Sequence, residues 1–212
     1  MIVMVSGKSG AGKDEFALLA GVGPFDRCSA GDVCKHEVRL FLDGFNICGR
    51  DANYHGTQEE KLETAFYSTE HVFDHFPYPL KTRIIKATDN RPTAAVTFRD
   101  VMAAWARWKT EDIDPMYFVS RMLETLDPFQ DYVMTDFRFE AEWRFLRDKT
   151  DVLTVRIDRP STDQKIPSGS IDCLLDDFKH WDYRIYNNSG LRYFRSAAKA
   201  VLDDISDKYN IV

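Results

Sequence analysis

The sequence predicts an α/β fold, a doubly wound parallel sheet of about five strands with a largely helical insertion, on three observations. Four short runs, "IVMV" (2–5), "YVMT" (132–135), "VLTVRI" (152–157) and "YRIY" (183–186), are β-branched or aromatic and apolar, and each precedes a turn or a helical pattern. A weaker fifth strand lies near "FDRCSA" (25–30). The first run ends in a glycine-rich turn that opens a helix, "SGKSGAGKD" (6–14). Finally, about a hundred residues without a convincing strand separate the weak second strand from Tyr132, too many for a plain crossover.

These elements define one domain over residues 1–212. Its core is 1–35 and 129–212, its helical substrate-binding insertion is 36–128, and a polar, lid-like loop lies at about 158–171. Two helices close the insertion. In "TFRDVMAAWARW", Phe98, Val101, Met102, Trp105 and Trp108 share one stripe, and Arg99, Ala103 and Ala106 lie together on another side. In "DPMYFVSRMLETL", Met116, Val119, Met122, Leu123 and Leu126 form the core stripe, with Asp114 as cap and Pro115 in the first turn. Phe118 sits at the edge of that stripe, with Tyr117 and Arg121 beyond it. A ring beside arginines suits a nucleobase and its phosphate, and equally an ordinary edge aromatic.

Composition narrows the function. A net charge of −6 opposes a broad, sequence-independent grip on nucleic acid, which needs many Lys and Arg contacts to phosphates. No run approaches the ~20 apolar residues that cross a bilayer, so neither a membrane partner nor export is expected. Cys28, Cys34, Cys48 and Cys173 form no metal-binding spacing and read as reduced, mostly buried thiols of a cytoplasmic protein. Lys81, Arg83, Lys86, Arg91 and Arg99 stand against Asp89 alone, as a solvated surface or one that faces phosphate.

The glycine-rich turn nearly matches the phosphate-binding loop G-x-x-x-x-G-K-[ST], with Asp14 in place of the hydroxyl residue. Gly7, Gly10 and Gly12 let successive N–H groups converge on an anion, and the helix that begins near Lys13 adds its positive end. Lys13 reaches toward the β and γ phosphates. The predicted ATP contacts are Gly7, Lys8, Ser9, Gly10, Ala11, Gly12, Lys13, Asp14 and Glu15. A carboxylate at 14 holds Mg2+ directly or through water, since that ion keeps several waters.

A second constellation, "TDFRFEAE", leaves the carboxyl end of a central strand, where open α/β sheets bind ligands. Asp136 orders magnesium or the acceptor, Arg138 offers a fork for phosphate, and Glu142 follows in the next helix; a structural salt bridge is the plainer reading. "VRIDRPSTDQKIPSGS" carries Arg156 and Arg159 in what reads as a mobile, water-excluding segment or a surface loop. "YNNSG" (186–190) stands where such a sheet receives adenine.

Together, "SGKSGAGKD", Arg99 followed by "IDPMYF", "TDFRFEAE", "VRIDRP" and "YRIYNNSG" resemble the deoxynucleoside monophosphate kinases of bacteriophages, whose loops commonly end in G-K-D. The resemblance follows most of the chain in order and is faint from 36 to 97. It implies transfer of the γ-phosphoryl of ATP, with Mg2+, to a dNMP, in the cytoplasm of an infected host cell, by a monomer or homodimer. It puts the substrate on Lys35, Arg99, Asp136, Phe137, Arg138 and Glu142, with Phe118 where relatives place a tryptophan beside the base. Lys13, Asp14, Asp136 and Arg138 form the implied catalytic set. The chain departs from the family at Met102 and Trp105–Ala106, where relatives carry Gln and a Gly-Thr pair, and at Gly169 and Asp172 in the lid. Two rival readings accompany it: a kinase acting on a hydroxymethylated base in DNA, and an ATP-binding protein without transferase activity.

Overall fold

The computed structural model describes residues 1–44, 64–67, 76–87, 95–163, 170 and 173–211. The chain divides into two compact units, Met1–Ser29 with Met122–Val212, and Ala30–Arg121.

The first unit holds a five-stranded sheet: β1 (Ile2–Ser6), β2 (Phe25–Cys28), β5 (Asp131–Met134), β6 (Val152–Asp158) and β7 (Tyr183–Tyr186), in the order β2-β5-β1-β6-β7. Every pairing is parallel. The α/β class and all five strand positions match the sequence expectation. β1 lies at the centre, in register with β5 through Val3 and Val133 and with β6 through Val3 and Leu153.

Strand alternation sorts the side chains onto two faces. Val3, Val5, Val133, Leu153, Val155, Ile157 and Ile185 join a core with α1 (Lys13–Ala20) and the C-terminal helix α8 (Leu191–Tyr209), through Phe16, Ala17, Ala20, Phe194, Ala198, Leu202 and Ile205. Thr154 and Arg156 point to the opposite face, which the segment before β7 covers. There Thr154 donates its hydroxyl to the carbonyl of His180, and its N–H to Asp182 Oδ2 at 2.8 Å. Asp182 returns a backbone bond to Thr154 Oγ1 at 3.0 Å. Cover on both faces explains why the central strands read as unbroken apolar runs.

The connection from β5 to β6 is α6 (Glu140–Arg147), and a single turn, α7 (Pro160–Asp163), follows β6. Half of the lid-like loop assigned to 158–171, with Gly169 and also Asp172, lies outside the described residues.

The second unit contains α2 (Ala30–Asp43), α3 (Tyr78–Ala87) and α4 (Phe98–Asp112), and the division falls within α5 (Tyr117–Thr125). It also contains a strand pair that the sequence reading misses: β3 (Thr64–Tyr67) runs antiparallel to β4 (Ala95–Thr97). Runs of three and four residues carry too little periodicity to distinguish from loop. The predicted stripe of α4 is buried at Phe98, Val101 and Trp105, with Ala104 added; Arg99 and Ala103 are exposed. Thr97 and Asp100 cap this helix reciprocally. Asp114 turns the chain into α5, accepting the N–H of Met116 at 2.8 Å.

Candidate nucleotide-binding site

Loops that leave the carboxyl ends of the parallel strands carry the candidate residues of the first unit. The loop after β1 turns through Gly10 at φ 77° and Gly12 at φ 118°, conformations that side-chain-bearing residues rarely adopt. Gly7 is needed for a different reason: a Cβ there would stand 2.5 Å from the carbonyl oxygen of Ile157. α1 then begins at Lys13, with its first turn bearing Asp14 and Glu15. The ammonium of Lys13 folds back over the loop, donating to the carbonyls of Gly7 and, at 3.1 Å, Lys8.

Two neighbours brace this loop from outside, and a third braces the helix that follows it. Asn187, just past β7, donates its side-chain amide to the carbonyl of Ala11 at 2.8 Å, while its N–H meets the carbonyl of Asp158 at 2.8 Å. Arg159 donates to the carbonyl of Gly10 at 2.9 Å. Arg195 of α8 pairs with Glu15 at 2.6 Å, so Glu15 anchors helix to helix. The sequence offers "YNNSG" to adenine; in the structure Asn187 supports the glycine-rich loop, a contact that spacing alone does not reveal.

The side chain of Asp14 is 93 % exposed, with Arg27 of β2 at 4.0 Å. Among the described residues no group of three or more His, Cys, Asp and Glu is placed to hold a metal ion. Magnesium needs no such cage: one or two carboxylates with phosphate and water complete its octahedron, and an exposed carboxylate in the first turn of the loop's helix fits that chemistry.

Next to β1, the end of β5 delivers Asp136. Its Oδ2 accepts the hydroxyl of Ser29 at 2.9 Å, tying the ends of β2 and β5 together. Glu142 is buried, and its Oε2 accepts the N–H groups of Arg138 at 2.9 Å and Phe139 at 3.0 Å. Burial pushes its carboxyl up to about 7, with the charge of Asp136 acting in the same sense; the two backbone bonds oppose the rise. Glu142 therefore caps α6 and shapes the turn that presents Arg138, whose residue is exposed. Phe137, another member of the predicted contact set, has its ring buried against Phe178 at 5.6 Å and Trp181 at 5.9 Å, so that ring packs the turn.

Arg156, which the sequence counts both in the strand run 152–157 and with Arg159 in a mobile segment or surface loop, lies within β6, buried, and bound by Asp158 and Asp176. Alternation along a strand buried on both faces put a guanidinium inside, where Asp158 two positions on and Asp176 from the segment before β7 satisfy it.

Within the second unit, Lys35 pairs with Asp32 one turn earlier on α2, and Arg99 is exposed at the start of α4. Phe118, an edge aromatic by its spacing, is 8 % exposed, with the ring of Tyr117 edge-on at 5.1 Å. Its ring is packed. Glu37 receives both Trp105 Nε1 at 2.9 Å and Tyr117 Oη at 3.0 Å. Of the clustered cations, Arg83 bonds Glu111 at 3.0 Å and Asp112 at 2.6 Å, bracing α3 on α4, while Arg91 and Asp89 lie outside the described residues. Cys28, Cys34 and Cys173 are thiols outside any disulfide among the described residues, the first two buried; Cys48 lies outside the described residues. No described helix is long and apolar enough to cross a membrane.

No protein-family model matches the chain, and no curated protein sequence matches it. Among solved structures, a dephospho-CoA kinase from Campylobacter jejuni aligns over 97 % of both chains at 15 % identity, with a TM-score of 0.44. That likeness is too distant to bear on the site.

Proposed function

We propose that this chain is an ATP-dependent kinase that phosphorylates deoxynucleoside 5′-monophosphates to diphosphates. The observation that carries the reading is the loop itself. Left-handed Gly10 and Gly12, the tight approach of Gly7 to β6, and Lys13 at the head of α1 make an anion cradle at the end of the central strand.

In this reading the loop N–H groups and Lys13 hold the β and γ phosphates of ATP. Asp14 holds Mg2+, directly or through water, and Arg27 offsets part of its charge. When bound, the ion neutralises phosphate charge in the transition state. An oxygen of the acceptor 5′-phosphate attacks the γ phosphorus, the bond from that phosphorus to the β-phosphate oxygen breaks, and ADP leaves. Asp136 and Arg138 orient the acceptor from the end of β5; catalysis is positioning and charge neutralisation rather than covalent chemistry. The acceptor class rests on the resemblance to phage dNMP kinases in "SGKSGAGKD" and "TDFRFEAE", which also assigns Lys35 and Arg99 to the substrate.

The test is acceptor-dependent ADP formation across natural and base-modified dNMPs and NMPs. At least one dNMP is expected to support turnover that collapses in Lys13→Ala. Transfer of labelled γ-phosphate to DNA and not to mononucleotide would instead favour the base-in-DNA kinase. ATP binding with no acceptor at all would leave a nucleotide-binding protein.

A further inference from the structure

The side chain of Arg156 is 7 % exposed and held between two carboxylates. Asp158 Oδ1 accepts from its Nε at 3.0 Å, and Asp176 Oδ1 from its Nη2 at 2.6 Å. The guanidinium carbon stands 5.7 Å from the Trp181 ring centre. The second oxygen of Asp176 lies 3.6 Å from Nζ of Lys8, a phosphate-loop residue whose side chain is 15 % exposed. Asp176 thus touches a buried cation of β6 with one oxygen and approaches a cation of the loop with the other. Its own segment is fixed to the sheet through Thr154, His180 and Asp182.

A lysine ammonium is a flexible point charge, and ordering it on demand weakens whatever it binds. A carboxylate beside it that a buried arginine already holds does that ordering beforehand. Lys8 is mostly buried, while Asp176 is 41 % exposed, so water and salt screen the pair in part. We propose that Asp176 is a positioning residue for nucleotide binding, holding the Lys8 ammonium at the loop so that it meets a phosphate oxygen already placed. This rests on the reading of the loop as an ATP site.

The experiment is a double-mutant cycle on ATP affinity by calorimetry, with wild type, Asp176→Asn, Lys8→Ala and the double variant, and Tm recorded for each. Asp176→Asn is expected to weaken ATP binding about 5- to 10-fold, Asp176→Glu to restore most of it, and the Asn change to matter less than about twofold once Lys8 is gone. An equal loss with and without Lys8, or a fall in Tm with unchanged affinity, overturns the proposal, because distortion through Arg156 would produce either. A wild-type chain that binds no ATP overturns the ATP reading instead. Independently, 15N-lysine spectra of the unliganded wild type should contain an ordered, slowly exchanging ammonium signal that Lys8→Ala removes; absence of that signal overturns the proposal even where Asp176→Asn does not fold.

Discussion

The hydroxyl of Ser29 donates to Oδ2 of Asp136 at 2.9 Å, joining residues that follow two neighbouring parallel strands and lie 107 positions apart in sequence. A hydrogen bond to a charged group contributes about 1.5–3 kcal/mol, and this one also fixes the carboxylate that the proposed mechanism aims at the acceptor. Ser29→Ala is expected to lower stability by about that amount in urea denaturation, and to reduce kcat more than ATP affinity.

Glu142 makes stability depend on pH. Its folded-state value, about 7, lies above its ordinary value of 4.5, so the folded chain favours the protonated acid. The associated stability is fully present below about 4.5 and is lost as pH rises through about 7, on the order of 3 kcal/mol in all. Glu142→Gln keeps an acceptor for the N–H groups of Arg138 and Phe139 and removes the titration. Its stability relative to wild type should therefore rise between pH 4.5 and 7.5, as read from denaturant midpoints across that range.

Gly7 tests the close packing behind the loop. Alanine there would press a Cβ against the carbonyl of Ile157, a backbone atom with no rotamer to escape by. Gly7→Ala should cost about 1–3 kcal/mol and abolish measurable ATP binding, checked by thermal unfolding and calorimetry together.

Asn187 separates loop support from global stability. Asn187→Ala removes the bond to the Ala11 carbonyl at 2.8 Å and leaves the backbone bond to Asp158 intact. A loss of about 1 kcal/mol in stability is expected, with about fivefold weaker ATP binding, since the loop then has to be ordered by the nucleotide.

The exposed pair of Arg195 with Glu15 should behave differently. Arg195 is half exposed in that pair, and such contacts are screened by water and salt. Arg195→Ala should change stability by less than about 1 kcal/mol and leave turnover within about twofold of wild type, measured by denaturation and by the coupled assay.

The sequence determined the sheet and the loop. Both are local: a strand buried on two faces must read as a short apolar run, and the backbone of the loop requires glycine where φ is positive, at Gly10 and Gly12. Helix faces were legible for the same reason, as 3.6-residue periodicity in α4. Tertiary structure decided the partners. It buried Arg156 between Asp158 and Asp176, turned Asn187 onto the glycine-rich loop, packed Phe118 and Phe137 away from solvent, and set Glu142 to cap α6. It also paired β3 with β4, strands too short to show a period. A residue's type and spacing state what it can bond. Which group, from which distant segment, satisfies a buried charge is settled only when the chain closes around it, because the cost of leaving that charge unpaired appears only then.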